Sequence, residues 1–175
     1  SSSGGSVTLQ TGSTANNYTH TVPSVDGTVM VSGNIPAFSA VMSTNQTLSN
    51  STWTKVNLSV ERFDTNNCFD TSNYRFTPNV AGYYQFNVYV GSTGTMTGAA
   101  AQVWKNGNSG TFANIQGQQT SGASTYAAAA SGIFYMNGTT DYVEGYGYAG
   151  GSPTGTIIDG SVSNTYFNGA LIRAA

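Results

Sequence analysis

The stretch GYYQFNVYV, residues 82–90, decides the fold class because large apolar side chains recur in it at every second position. Tyr84, Phe86, Val88 and Val90 fall on one face of an extended chain. The other face holds Tyr83, Gln85, Asn87 and Tyr89. A period of two residues is typical of a strand that packs one face on a core. The stretch therefore predicts a strand with its even-numbered residues buried.

Similar short alternating runs, separated by Gly, Asn and Ser clusters, continue outward from this stretch across residues 37–175. In TWTKVNLSVE, residues 52–61, the alternation predicts a strand that buries Val56, Leu58 and Val60 together. Many short strands between turn clusters favour an all-β fold of antiparallel strands in a two-sheet sandwich.

The connections between these runs also favour strands. Asn106-Gly107 and Asn137-Gly138 are dipeptides that adopt the positive φ angles of tight turns. The helix candidate is the alanine run 127–130, and a helix that short is marginal without packing. We therefore expect no stable helix.

Composition excludes several classes of function. The chain has 175 residues, which suits one domain, and only 7% of them are charged, with a formal net charge of −2. Its five Lys and Arg residues are scattered, so no basic patch predicts nucleic-acid binding. One cysteine and one histidine allow no intrachain disulfide and supply a zinc site poorly. No apolar run approaches the roughly 20 residues that span a bilayer, so membrane insertion is not expected.

The first 36 residues differ from the rest of the chain. They contain short alternating pieces broken by Gly, Asn and Pro, and too few large apolar side chains to build a core. We interpret residues 1–36 as an extended stalk or linker, and residues 37–175 as a head domain. Such weak strands are stabilised only by pairing with something else, such as the same segment of other subunits.

A longer pattern connects the central strand to a known family. It runs in the order Leu58, Asp64, Phe69, Phe76, Gly82, Tyr84, Phe86 and Val88. This order resembles the signature of the globular head of complement C1q, a member of the tumour necrosis factor (TNF)-like jelly-roll superfamily. Leu58 and Val88 stand where that signature has aromatic residues. Segments 103–107, 138–143 and 167–171 resemble later strands of the family, so the resemblance covers about residues 37–175.

The resemblance implies a homotrimeric, non-enzymatic jelly-roll head without a cofactor. The side chains expected in its core are Leu58, Phe69, Phe76, Tyr84, Phe86, Val88 and Phe167. The stalk has no Gly-X-Y period, which departs from the collagen stalk of the complement proteins. Residues 6–35, which lead from the stalk to the head, and residues 51–86 of the head instead resemble segments of bacteriophage tail-fibre or head-fibre proteins.

That second resemblance implies a head at a fibre tip on the virion surface, outside the cell, which binds a glycan or protein receptor of the host. A rival interpretation is a structural domain that trimerises and caps a viral or bacterial surface fibre without a ligand of its own. A third is a fibre-borne glycan hydrolase, whose paired carboxylates would have to come from Asp64, Asp70, Asp141, Glu144 and Asp159. Each of these carboxylates lies in a turn or near a strand edge, so we expect no enzyme.

One group of candidate residues is a row of tyrosines. Tyr142, Tyr146 and Tyr148 alternate in sequence and so share one strand face, with Glu144 among them. Aromatic, weakly charged surfaces are typical of subunit interfaces, and we expect this row to face the trimer axis. A plain core face and a sugar-stacking surface remain the alternatives.

The receptor is expected to meet loops, which carry function more often than strands. Family strand order selects the loops 106–110, 117–124 and 150–156. Their hydrogen-bonding candidates are Asn106, Asn108, Gln118, Gln119, Ser124 and Ser152. If these loops do not bind, Trp104 or Tyr89 on the sides of the trimer would be the stacking platforms.

One loop of the predicted head is rich in acidic and amide side chains. Asp64, Asn66, Asn67 and Asp70 lie close together in sequence, and oxygen-rich loops can bind Ca²⁺. Asx side chains also stabilise turns by capping backbone amides, and the loop lacks the register of a calcium-binding motif, so we expect turns and no metal. Cys68 in the same loop is expected to be a small buried apolar residue.

Overall fold

The structure is a computed structural model that describes Gly33 and residues 35–109, 125–150, 154–158 and 164–175. The predicted stalk, residues 1–36, falls almost entirely outside these ranges. The described strands, in chain order, are β1 (Ala37–Val41), β2 (Gln46–Thr47), β3 (Thr54–Lys55), β4 (Val60–Asp64), β5 (Phe69–Asp70), β6 (Arg75–Phe76), β7 (Gly82–Thr95), β8 (Gly98–Lys105), β9 (Thr125–Met136), β10 (Val143–Gly150), β11 (Thr154–Ile158) and β12 (Thr165–Ala174).

The strands form two antiparallel sheets. The first sheet has the order β2-β11-β7-β12-β1-β4. In it β11 and β12 lie end to end along one edge of β7, and β9 pairs with the other edge. Its long central strand β7 is the stretch that the alternation predicted. In the second sheet β8 pairs along the whole of β10, while β6 and β3 lie end to end along the other edge of β10, with β5 outside β6.

The core lies between the sheets and is rich in aromatic side chains. Phe38 from β1 stacks on Phe76 with ring centroids 4.3 Å apart, and Phe86 packs against Phe167 at 6.0 Å. The structure buries all of the expected core residues, namely Leu58, Phe69, Phe76, Tyr84, Phe86, Val88 and Phe167. The Tyr84 hydroxyl donates to the backbone carbonyl of Val80 at 2.7 Å, so its polar atom is also satisfied in the core.

The alternation in residues 52–61 predicted one continuous strand, and that prediction is wrong. Val56 and Leu58 are buried, but Val60 is 39% exposed. The Leu58 amide donates to the Val56 carbonyl at 3.0 Å, a three-residue γ-turn that interrupts the alternation. The chain uses this turn to pass from β3 in the second sheet to β4 in the first.

The structure also bears on the other features of the sequence. The alanine run 127–130 lies inside β9, and all regular elements in the described ranges are strands. No helix in that part of the chain is long and apolar enough to cross a membrane. Asn106 and Gly107 both have positive φ, at 53° and 70°, as the tight turn requires. The 137–142 loop instead connects the two sheets, because β9 and β10 belong to different ones.

Candidate functional site

The first candidate surface is the outward face of the first sheet, formed by the odd-numbered residues of β7 and their neighbours on β9 and β12. We call it the amide face. Its cross-strand rows are Tyr135, Tyr83 and Arg173; Ile133, Gln85 and Ala170; Ser131, Asn87 and Asn168; and Ala129, Tyr89 and Tyr166. Arg173, at one end of these rows, is their single charged residue and is exposed. The middle of the face is therefore an uncharged sheet surface.

Hydrogen bonds between side chains join the middle of the amide face. Asn87 Nδ2 donates to Asn168 Oδ1 at 3.0 Å. On the other side, Gln85 Nε2 donates to Ser131 Oγ at 2.6 Å, and that hydroxyl donates to Asn87 Oδ1 at 2.8 Å. The row of Asn87 and Asn168 continues to Ser39 of β1. These three residues and those around them line a shallow depression of about 260 Å³. These amides are held in fixed orientations.

Aromatic and aliphatic side chains flank the amides. Tyr89 and Tyr166 stack with centroids 5.4 Å apart and planes at 8°, and Tyr83 meets Tyr135 edge to face at 5.6 Å. Several of the flanking side chains are about half exposed: Tyr83 47%, Tyr135 44%, Ile133 58%, Ile172 56% and Phe63 52%. Soluble monomers seldom expose so many large apolar groups on one face. The amide face therefore has the chemistry of a protein interface.

The second candidate surface is the outward face of the second sheet. The register places Lys55, Tyr146 and Gln102 in one row across β3, β10 and β8. The next row holds Arg75, Glu144 and Trp104. Both tryptophans of the chain lie here, because Trp53 packs against Tyr148 at 5.2 Å and Trp104 stacks on Tyr146 at 3.7 Å. We call Trp53, Trp104, Tyr146 and Tyr148 the tryptophan array.

A nearly buried carboxylate lies beneath the array. Glu144 is 4% exposed at its side chain and pairs with Lys55 Nζ at 3.1 Å, while Arg75 Nε lies 3.6 Å from it. Tyr146 donates its hydroxyl to Glu144 Oε2 at 3.1 Å. Burial, and then the negative charge of Glu144, raise the pKa of Tyr146, so the phenol stays protonated and keeps donating. Arg75 also lies over the Tyr142 ring, 4.4 Å from its centroid.

The predicted tyrosine row therefore belongs to the second sheet. Tyr142, Tyr146 and Tyr148 are half-buried and face away from the core, so the core-face alternative is wrong. The core side of β10 is formed by Val143, Gly145, Gly147 and Ala149. The assignment of the tyrosine row to the trimer axis remains a prediction. The sequence pattern did not lead us to the amide face, although Tyr83 and Tyr89, two aromatic residues on the polar side of residues 82–90, indicated it.

Of the predicted receptor-binding residues, Asn106 and Asn108 lie in the described ranges, and Gln118, Gln119, Ser124 and Ser152 lie outside them. Asn108 is exposed in the turn after β8. The Asn106 side chain ties that turn to the neighbouring loop: its Nδ2 donates to Asp141 Oδ1 at 2.8 Å, and its Oδ1 accepts from the Tyr142 amide at 2.9 Å. Its amide group is thus used within the protein. Of the suggested platforms, Trp104 belongs to the array and Tyr89 to the amide face.

In the acidic loop, the aspartate side chains accept hydrogen bonds from backbone amides of the same loop. Asp64 accepts the amides of Asn66 and Phe69, and Asp70 accepts those of Ser72 and Asn73. The Asn73 side chain and these amides lower the pKa of Asp70. Within the described ranges, no three His, Cys, Asp or Glu side chains gather as a metal site would require.

Other candidates from the sequence have ordinary environments. Cys68 is buried, and burial raises the pKa of its thiol, which disfavours the nucleophilic thiolate. Asp141 pairs with Lys105 Nζ at 2.6 Å, and Asp159 lies outside the described residues. The carboxylates considered for hydrolysis are thus engaged in turns or ion pairs wherever the structure describes them.

Comparison with known proteins bears on the fold. No family model matches the sequence, and no curated protein sequence matches it. Solved structures do match, including the globular domain of zebrafish complement 1qA protein, with a TM-score of 0.57 and 20% identity over 80% of this chain and 99% of that chain. Eiger TNF from S. frugiperda has a TM-score of 0.59 and 6% identity, covering 81% of this chain and 95% of that one. Murine APRIL has 0.56 and 10%, covering 79% and 99%. These similarities show that the chain has an all-β, two-sheet fold of the C1q/TNF-like jelly-roll type.

Proposed function

We propose that this chain is the homotrimeric, non-enzymatic head of a bacteriophage fibre, which attaches the virion to a glycan receptor on the host surface. Residues 1–36 are the end of the fibre shaft in this proposal, and the head lies outside the particle at the fibre tip. The proposal combines the C1q/TNF-like fold with the resemblance of the stalk-to-head sequence to phage fibre proteins.

The observation that carries the proposal is the amide face, whose middle rows are uncharged and whose one charged row residue, Arg173, lies at its end. Burying a charge without a partner is costly, and interface cores are depleted in charged residues. Half-exposed aromatic and aliphatic side chains, arranged around a fixed group of amides, gain by leaving water when two such faces meet. A closed assembly buries this surface on every subunit. We place the main contact between subunits on this face, whereas the sequence pattern alone favoured the tyrosine row of β10.

Trimerisation fits attachment because it multiplies weak sites. Three copies of a site on one rigid head bind a repetitive surface with an avidity that exceeds the affinity of each site. The chain has few charges and many hydroxyl and amide groups, which suits hydrogen bonding to neutral sugars. A non-enzymatic head needs only this binding chemistry.

Two measurements on the purified chain test the proposal. Light scattering should give a solution mass three times the chain mass of 18.1 kDa at micromolar concentration. The trimer, added in excess, should block adsorption of the parent phage to its host. A stable monomer would contradict the trimer. A trimer that leaves adsorption unchanged would favour the structural cap, and release of sugar from host polysaccharide would favour the hydrolase.

A further inference from the structure

We propose that the tryptophan array on the outward face of the second sheet is a binding site for a neutral glycan. This inference rests on the proposed attachment function and gives it a site and a ligand class. It replaces the loops as the expected site of receptor contact.

The large side chains of β10 lie on the solvent side of the strand. The core side of this strand has Gly145, Gly147 and Ala149, while the solvent side has Tyr146 and Tyr148. Stability alone favours the opposite arrangement, because large apolar groups gain most when they are buried in the core. The arrangement places the aromatic rings where a ligand can reach them.

The four rings of the tryptophan array contact one another. Trp104 stacks on Tyr146 at 3.7 Å with planes at 17°, and Trp53 bridges Trp104 at 6.4 Å and Tyr148 at 5.2 Å. All four side chains are partly exposed. Packing against one another limits their rotamers before any ligand arrives, so binding loses less side-chain entropy. The apolar C–H face of a sugar ring packs on such preordered aromatic rings.

Polar groups lie next to the rings of the array. Gln102 accepts a hydrogen bond from Trp104 Nε1 at 2.6 Å and lies in the same row as Lys55. Lys55 Nζ donates to Glu144 and to the Asn73 carbonyl at 3.1 Å, and its ammonium group has a third donor. Fixed donors and acceptors beside a stacking platform match the alternating hydroxyls of a sugar.

The charge state of the site selects a neutral ligand. The Glu144 carboxylate is almost fully buried against Lys55 and Arg75, and Asp70, opposite Arg75 on β5, balances the second positive charge. The two cations are held by this carboxylate, and Arg75 is also covered by the Tyr142 ring. An acidic glycan would have to compete with Glu144 for both of them. A neutral glycan leaves the ion pairs intact.

The experiment uses the full chain and an array of neutral hexose and N-acetylhexosamine oligosaccharides, with sulfated and uronic-acid oligosaccharides beside them. The expected hits are neutral and keep their affinity when salt is raised. Titration with the best hit should change the intrinsic tryptophan fluorescence, because Trp53 and Trp104 are the only tryptophans in the sequence. Trp53→Ala and Trp104→Ala should each weaken binding about tenfold or more. Thr139→Ala, an exposed substitution in the 137–142 loop, is the control that should bind normally.

Each variant is checked for the wild-type solution mass and melting curve, and Trp104→Tyr, which keeps an aromatic ring, should recover part of the binding. Neutral-glycan binding that persists in both alanine variants would overturn this site but leave the attachment function standing. Salt-sensitive binding of acidic oligosaccharides alone would overturn the neutral ligand class. A wild-type trimer that binds no oligosaccharide on the array and yet blocks phage adsorption would point to a protein receptor and overturn the inference, whereas a trimer that also fails to block adsorption would overturn the proposed function itself.

Discussion

Asn87 donates a 3.0 Å hydrogen bond to Asn168 across neighbouring strands, at the centre of a sheet face whose single charged row residue, Arg173, lies at one end. Both side chains are half-buried already in the single chain. Amides that are fixed in this way can define the register of a subunit contact, because a shifted contact would leave them without partners.

The first prediction follows from that position. Asn87→Lys places a charge in the middle of the amide face, and burying it without a partner costs several kcal/mol. We expect the solution mass to fall from trimer to monomer at micromolar concentration. Thr139→Lys adds the same charge to the exposed 137–142 loop and should leave the mass unchanged. A trimeric Asn87→Lys variant would move the interface to another face.

The second prediction concerns the aromatic core. Phe86 is fully buried among Phe76, Phe134 and Phe167, with centroids about 6 Å away in each case. Phe86→Ala should lower the free energy of unfolding by about 3–5 kcal/mol, measured by chemical denaturation. Val60→Ala is the matched comparison, because alternation placed Val60 in the core and the structure exposes it. It should cost less than about 1 kcal/mol, and a larger loss would restore the continuous strand.

The third prediction uses a matched pair of glycines. A Cβ on Gly169 would lie 2.5 Å from Phe86 Cδ1 and 2.8 Å from the Gln85 carbonyl, so β12 could not keep its distance from β7. Gly98 has nothing within 4 Å of the same position. Gly169→Ala should destabilise the protein by about 1–3 kcal/mol. Gly98→Ala should be neutral or slightly stabilising, since it restricts the unfolded chain. Equal melting temperatures for the two variants would contradict the close packing of β7 and β12.

Much of this fold could be predicted from the sequence because period-two alternation is a local property. The buried side of β7 follows directly from residues 82–90, and the turn at Asn106-Gly107 follows from its dipeptide. The places where the chain changes sheets did not follow, because the turn at Leu58 and the 137–142 loop depend on which sheet each strand joins. Local sequence carries no record of that choice.

The candidate sites were harder to predict for a related reason. Alternation showed that Tyr142, Tyr146 and Tyr148 share a face, but it could not say which face meets the core. The answer depends on Phe167, Val88 and Leu58, which fill the space beside Gly145 from distant parts of the chain. The tryptophan array likewise joins Trp53 to Tyr148 across 95 positions of sequence. Such contacts are set by the tertiary fold.

The last prediction concerns pH and the contact between two loops. Burial disfavours ionisation of Asp141, but hydrogen bonds from Asn106, Lys105 and the Asn137 amide outweigh it, and the pKa of Asp141 is lowered. A carboxyl whose pKa is lower in the folded state stabilises the protein above its unfolded pKa of about 3.9. That contribution disappears as the pH falls through the folded pKa, because the folded state must then take up the proton as well.

Asp141→Asn removes the charge at every pH. At pH 7 it should reduce the free energy of unfolding by about 1–3 kcal/mol, since Lys105 loses its charged partner and one of the two oxygens that accept from Asn106 and from the Asn137 amide becomes a donor. The difference between wild type and variant should begin to shrink below about pH 4, where the unfolded wild-type chain takes up the proton, and should vanish once the pH lies below the lowered pKa of the folded state. Denaturation midpoints measured from pH 7 down to pH 2 would show the two curves converging. Parallel curves across this range would mean that Asp141 does not hold the turn through its charge.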